Sequence, residues 1–282
     1  MEADAPHGEI EEWTATVPRL LERCTQRWGL TVGPPYTSGT AGYVAPAIRS
    51  DGTDVVLKLI YPHREAEHEA DALKYWNGEG AVRLIDQDQD GWALVLERCS
   101  PGSPVSAMGA DAALDVFTSL LPRLWAVVPP HVFTSLADEA MHWHRNLRAD
   151  WERGSRPFDE RMLDATLEAL PALCATQGEQ VLLHQDLHGD NVLSAQREPW
   201  LAIDPKPLVG EREFGVAPIL RSSELEQSRD ATLNRLDRLC AELGLDRERA
   251  QWWTIAQTLA WSFDATYRVS TADWLFDDVV AR

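Results

Sequence analysis

Apolar residues at Ile10, Trp13, Val17, Leu20, Leu21, Cys24 and Trp28 recur at the helical interval and predict a helix over 9–30, with Pro18 a point of kinking. The period then shortens. Segments 32–36, 43–48 and 55–60 read as strands, separated by turn signals at Ser38-Gly39-Thr40-Ala41-Gly42 and Ser50-Asp51-Gly52. Such short connections predict an antiparallel meander. A charged helix over 65–76 follows, closed by Asn77-Gly78, and then two more strands, 82–85 and 92–96. Glu97 to Gly102 breaks the pattern. Beyond it the periodicity is mostly helical, over 111–127, 136–153, 158–175, 225–243 and 247–267. The chain therefore reads as α+β, with a five-stranded antiparallel sheet and one long helix in an N-terminal lobe (1–98) and a mostly helical C-terminal lobe (99–282).

Composition narrows the class. With 282 residues, 44% apolar and 25% charged, the chain has the make-up of a soluble globular protein with a sizeable core. The net charge of -19 departs from the ordinary. Such a field disfavours nucleic acid and anionic membrane and attracts cations. Cys24, Cys99, Cys174 and Cys240 are far apart, with no pair spaced for zinc or a disulfide framework. The acidic N-terminus lacks the features of a signal peptide, no stretch approaches the ~18 apolar residues of a membrane span, and a cytoplasmic location is expected.

Candidate chemistry concentrates between 181 and 204. Val181-Leu182-Leu183 runs into His184-Gln185-Asp186-Leu187-His188-Gly189-Asp190-Asn191, and a second apolar strand, Trp200 to Ile203, ends on Asp204. Carboxylates at strand ends and in tight loops suit a site that holds a divalent cation and a hydroxyl proton together. The same letters admit a rival reading. If 184–190 were extended, His184, Asp186, His188 and Asp190 would share one face and could bind hydrolytic metals.

His184, Asp186, Leu187 and Asn191 fit H-x-D-L-x-x-x-N, the catalytic loop of protein-kinase-like enzymes. With His188, and with Ile203-Asp204-Pro205 downstream, the stretch resembles the aminoglycoside phosphotransferases. Trp200 to Pro218 looks like their streptomycin 6-kinase and hydroxyurea-resistance branch. The resemblance implies a bilobal kinase-like fold and transfer of the ATP γ-phosphoryl to a hydroxyl. Asp186 would receive the hydroxyl proton, while Asn191 and Asp204 would hold Mg2+. Lys58, ending Val55-Val56-Leu57-Lys58, takes the place of the third-strand lysine, and Glu69, four before Leu73, that of its partner. Gly39, Thr40, Ala41 and Gly42 would bring backbone N–H groups to phosphate, and the backbone of Glu97, Arg98 and Cys99 would receive the adenine. Two positions depart from the family. Gln185 stands where glycine is usual, and Gly215 where many members carry aspartate.

The resemblance further implies a cationic antibiotic as acceptor, a streptomycin-like aminoglycoside or a tuberactinomycin peptide such as capreomycin or viomycin. It would bind in an acidic cleft of the helical lobe. Asp264, after the apolar run 255–263, leads the candidates, with Trp261, Asp150 and Glu152. A sugar, choline or homoserine kinase, a pseudokinase and the metallohydrolase are the competing readings.

Overall fold

The computed structural model describes residues 7–36, 42–90, 92–128, 132–261 and 266–281. The chain divides into two compact units. The first comprises 1–102 together with 194–203; the second comprises 103–193 and 204–282. The first unit thus extends past residue 98 and takes in a distant hairpin segment.

In the first unit, helix α1 (His7–Trp28) leads into strands β1 (Leu30–Val32), β2 (Gly42–Arg49) and β3 (Asp54–Ile60). Helix α2 (Glu69–Trp76) and strands β4 (Leu84–Gln87) and β5 (Ala93–Glu97) complete it. The sheet is antiparallel, in the order β1-β2-β3-β5-β4. Period-two alternation decides its faces. Val55, Leu57 and Leu59 of β3 are buried in a core with Trp13, Val17, Leu20 and Leu21 of α1, so Lys58 lies on the opposite face. The long helix of this unit is α1. The predicted helix over 65–76 is shorter, because 64–66 forms a single 3-10 turn before α2 begins. Asn77 ends α2 in the left-handed conformation (φ 47°), its N–H donating to the Leu73 carbonyl. The first strand starts at Leu30, where the predicted helix was to end, since Gly29 (φ 60°) turns the chain out of α1.

Arg197, from the segment 194–203, is bound within this unit. Its Nε and Nη2 donate to the two Glu97 oxygens (2.8 and 2.9 Å), Nη1 to the Gly78 carbonyl (2.6 Å) and Nη2 also to the Ala81 carbonyl (3.0 Å). Four acceptors around one planar fork make this a geometrically specific clamp. Burial opposes ionisation of Glu97, but the Arg197 bonds outweigh it and hold its carboxyl below the usual range.

The second unit is helical around short strands. Helices α3 (Ala110–Leu124), α4 (Leu136–Arg153) and α5 (Glu160–Ala175) precede β6 (Gln180–Leu183); the hairpin strands β7 (Val192–Ser194) and β8 (Trp200–Ala202) come next, Ser194 and all of β8 belonging to the first unit, and β9 (Leu208–Glu211) returns to the second. Helices α6 (Ala217–Leu220), α7 (Arg229–Leu243), α8 (Arg247–Ala260) and α9 (Thr266–Val280) follow. Ser135, Asp159, Ser228 and Asp246 cap α4, α5, α7 and α8 by accepting backbone N–H bonds. The predicted helix over 247–267 is corrected. Helix α8 ends at Ala260 and a separate helix, α9, occupies the C-terminus.

Strands β6 and β9 pair antiparallel, with Leu183 opposite Leu208 and Gln180 opposite Glu211. Their apolar residues join Leu136, Trp143, Leu170, Phe214 and Trp253 in the core beneath the 184–191 loop. Glu211, 1% exposed, is the polar centre of that core. It accepts from Arg249 through both oxygens, from Trp253 Nε1 and from the Gly178 N–H. None of the described helices is long and apolar enough to cross a membrane.

Candidate active site

Lys58 and Glu69 meet in the first unit. Lys58 Nζ donates to both Glu69 oxygens at 2.7 Å, with the two side chains 12% and 2% exposed. Strand alternation turns Lys58 away from the α1 core, and the first turn of α2 presents Glu69 to it. Gly42 opens β2, where an added Cβ would stand 2.5 Å from the Leu59 carbonyl oxygen, so close strand approach requires glycine. Gly39, Thr40 and Ala41 lie outside the described residues. The Glu97 N–H donates to the Arg83 carbonyl, and β5 ends at Glu97, so Arg98 and Cys99 follow the strand. Burial pushes the Cys99 thiol up to about 11.

In the second unit, β6 ends at Leu183 and the loop folds back on itself. The Asp186 N–H donates to the His184 carbonyl (2.8 Å), the His188 N–H to the Asp186 carbonyl (3.0 Å) and the Asn191 N–H to the His188 carbonyl (3.0 Å). Asn191 Nδ2 donates to the Asp186 carbonyl at 2.9 Å, which orients its amide and leaves Oδ1 as the acceptor end. The Lys206 N–H donates to the buried His184 carbonyl (3.0 Å), joining the Asp204 segment to the loop. Gln185 (φ 63°) and Asp204 (φ 58°) both sit in the left-handed region, a costly conformation for residues other than glycine and most tolerable for Asp or Asn. The usual family glycine at 185 is explained by that dihedral. Here Gln185 occupies it with its side chain buried and no hydrogen-bond partner for Nε2 among the described residues.

Asp186 is held by two cations. Arg221 Nη2 donates to Oδ1 at 3.0 Å, and Lys206 Nζ lies 3.4 Å from Oδ2. Burial would raise its pKa. The Lys206 and Arg221 charges overcome this, so Asp186 stays ionised well below the usual carboxylate range. Both cations face the Trp261 ring, Arg221 Cζ at 4.6 Å and Lys206 Nζ at 5.0 Å from its centroid. Arg221 Nε donates to Gln257 Oε1 (3.1 Å), and Gln257 Nε2 donates to the Gln185 carbonyl (3.0 Å). His188 Nδ1 pairs with Glu224 at 3.0 Å. Burial works against that pair, yet the mutual bond prevails. It pulls Glu224 down to about 2 and raises His188.

Of the acceptor-site candidates, Trp261 adjoins Asp186 through these cations. Asp264 lies outside the described residues. Asp150 pairs with Arg153 on the same helix, and neither it nor Glu152 enters the network around Asp186. Their neighbours Trp143 and Trp151 are core residues, and Trp151 donates to the Phe158 carbonyl. The metallohydrolase reading is corrected. Residues 184–188 are not extended as a strand, His188 binds Glu224, Asp190 accepts from Ser106, and no cluster of three or more metal-ligating side chains occurs among the described residues. Asn191 and Asp204 offer hard oxygen donors, and two such groups suit a cation that takes its remaining ligands from phosphate and water. Gly215 lies against Trp125, where an added Cβ would stand 2.9 Å from the indole nitrogen, so the aspartate common at this place would require Trp125 to move.

Lys206, Arg221, Gln257 and Glu224 carried no assigned role in the sequence reading. Lys206 stands in the Ile-Asp-Pro-Lys segment and could have been singled out there; the other three have no local signature.

The coordinates resemble the choline kinase LicA from Streptococcus pneumoniae (TM-score 0.64, 12% identity, 94% of this chain and 99% of that one). They also resemble the GDP and kanamycin complex of APH(2")-IIia (TM-score 0.60, 14% identity, 94% and 99%). The fold is therefore kinase-like: a five-stranded antiparallel sheet in one lobe and a mostly helical second lobe. In sequence the chain is 38% identical over 257 residues to a streptomycin 6-kinase of Streptomyces glaucescens, covering 89% of this chain and 83% of the relative. It is 37% identical over 255 residues to a hydroxyurea phosphotransferase of Kitasatospora aureofaciens, covering 88% and 73%. Residues 27–265 match the family described as aminoglycoside/hydroxyurea antibiotic resistance kinase. With that match and those relatives, this chain belongs to the aminoglycoside/hydroxyurea antibiotic resistance kinase family, and it is a phosphotransferase.

Proposed function

We propose that the chain transfers the γ-phosphoryl of ATP to a hydroxyl of a cationic antibiotic, with streptomycin the first acceptor to test. The observation that carries this reading is Asp186, a largely enclosed carboxylate (14% exposed) paired with Arg221 and Lys206 and kept ionised at the head of a loop whose Asn191 amide is held by the Asp186 carbonyl itself. In this reading Lys58, steadied by Glu69, binds nucleotide phosphate. Asn191 and Asp204 would hold magnesium, which would supply positive charge against the phosphate being transferred. Gly42, at the start of β2, offers its backbone to phosphate, and the backbone of Arg98 and Cys99 receives the base.

Asp186 accepts a hydrogen bond from the acceptor hydroxyl and aims its oxygen at phosphorus. The new O–P bond forms as the bond to the ADP oxygen breaks. Because two cations keep Asp186 a weak base, the hydroxyl proton passes to the Asp186 carboxylate late, once phosphorus has drawn electron density from the attacking oxygen. The net charge of -19 supports a cationic acceptor through faster encounter. Near-equal identity to the hydroxyurea phosphotransferase favours hydroxyurea as the second acceptor to test.

The test is magnesium-dependent ATP turnover across streptomycin, other aminoglycosides, capreomycin, viomycin, hydroxyurea, choline and homoserine, with product masses. A gain of one phosphoryl on streptomycin supports the proposal; phosphorylation of choline or homoserine alone refutes the antibiotic assignment. Asp186→Asn should lower kcat by about 10²–10⁴ while nucleotide still binds. Turnover near that of the parent would remove Asp186 from the reaction.

A further inference from the structure

A carboxylate has two oxygens, and a reaction that needs one of them at a fixed place must restrain the other. Around Asp186 the two are treated differently. Oδ1 receives Arg221 Nη2 at 3.0 Å from a guanidinium that is only 5% exposed. Oδ2 faces Lys206 Nζ at 3.4 Å, and the Lys206 side chain is 19% exposed. The first contact is short and enclosed; the second is longer and reaches toward solvent.

The guanidinium is itself fixed on three sides. Its Nε binds Gln257 Oε1, its plane lies over Trp261, and Nη2 is committed to Asp186. Gln257 is fully buried on α8, and its other end, Nε2, holds the carbonyl of Gln185, the residue before Asp186. A closed ring results: Asp186 carboxylate, Arg221, Gln257, Gln185 carbonyl, and back along the chain to Asp186. The ring grips the aspartate by its side chain and its backbone at once. Only a planar fork with donors on two edges can bridge these acceptors, so a lysine at 221 would satisfy one and abandon the other.

We propose that Arg221, locked by Gln257 and Trp261, is a positioning residue that occupies Oδ1 of Asp186 and thereby dedicates Oδ2 to the acceptor hydroxyl. Lys206 is the displaceable cation on that side, yielding Oδ2 when a hydroxyl arrives. The inference rests on the phosphotransferase reading of Asp186 given above.

The test uses the full chain with Arg221→Met, Arg221→Lys, Gln257→Met and Asp186→Asn. It measures magnesium-ATP turnover with streptomycin and with water alone, and KM for each substrate. Arg221→Met should lose about 100-fold in kcat, the scale of a misplaced proton acceptor, with both KM values within about 3-fold of the parent. Gln257→Met, which leaves the charge pair but frees the guanidinium, should lose about 10-fold, and Arg221→Lys should fall between them. A role confined to folding would lower the active fraction or the thermal midpoint without this ordered, kcat-only loss. Should Arg221→Met fail to fold, Gln257→Met decides the matter. A kcat within about 3-fold of the parent in the deciding variant, or a loss expressed in KM alone, overturns the proposal. An inactive Asp186→Asn beside a normal Arg221→Met sinks this inference and spares the reading beneath it. A fully active Asp186→Asn, or a parent chain that turns over no ATP in either arm, sinks both.

Discussion

Removing the Arg249 guanidinium should cost the second unit much of its stability, because it leaves a buried carboxylate without its counter-charge. Glu211 is 1% exposed and its partner's side chain 22%. Arg249 supplies three contacts, Nε to both oxygens (3.0 and 3.1 Å) and Nη2 to Oε1 (2.7 Å). It also donates to the Leu173 carbonyl and Thr176 Oγ1 at the C-terminus of α5. After Arg249→Met, Glu211 keeps the Trp253 and Gly178 N–H groups, two neutral donors facing a full negative charge. Breaking one side of a buried pair typically costs about 3–5 kcal/mol, and the two remaining donors place this case near the lower end. For a unit of this size each kcal/mol moves the midpoint by about 2–4 °C, so a fall of roughly 6–16 °C is expected. The assay is thermal and urea unfolding of Arg249→Met, Glu211→Met and the double variant. Since an apolar pair can replace a buried ion pair at little loss, the double variant should recover at least half of the single-variant deficit. A single-variant loss below about 1 kcal/mol, or a double variant no better than Arg249→Met, would refute the reasoning. The matter bears on the active site because Glu211 sits opposite Gln180, at the start of the strand that delivers His184.

Three further outcomes are expected. Lys58→Met should lower kcat/KM for ATP by about 10–1000-fold and Glu69→Gln by a smaller factor, checked by steady-state kinetics with ATP varied; equal activity in both would detach the pair from nucleotide binding. Gln185→Gly should raise stability by about 1 kcal/mol, since it relieves a left-handed side chain and removes a buried amide without a partner, and a lowered melting midpoint would contradict this. Glu224, held at about 2 against its usual 4.5, contributes stability that is complete above pH 4.5 and lost as pH falls toward 2. Its partner His188, raised above 6.5, contributes stability present below pH 6.5 that fades as pH climbs past its folded value. Glu224→Gln should flatten both limbs of a melting-temperature profile, and unchanged limbs would mean the pair is idle.

What was legible in the sequence was whatever depends on near neighbours. The strand meander and the stop at Asn77-Gly78 follow from alternation and turn chemistry, whereas the contact of Lys58 with Glu69 was legible only through the family resemblance, since Glu65 and Glu67 qualify equally by residue type. The backbone turns of the loop from His184 to Asn191 were legible because the bonds that shape them reach only two to five residues along the chain. What escaped comes from far away. Arg221 reaches Asp186 from 35 residues along the chain, and Gln257 reaches the Gln185 carbonyl from 72. Nothing local marks an arginine that will lie on a tryptophan. Strand β9 went unread because Leu208–Glu211 is too short to show a period, and α9 because its apolar stripe is weak after a break.

The Arg197 clamp makes inheritance of this protein less modular than its two-part layout suggests. A gene recombined once, between codons 102 and 103, would bring a new hairpin to the old Glu97, Gly78 and Ala81, and only a partner sequence carrying a matching arginine would restore the four bonds. Viable chimeras with relatives therefore need two exchanges, the second spanning codons 194 to 203, so the stretch between the 184–191 loop and Asp204 should travel through evolution with the first unit.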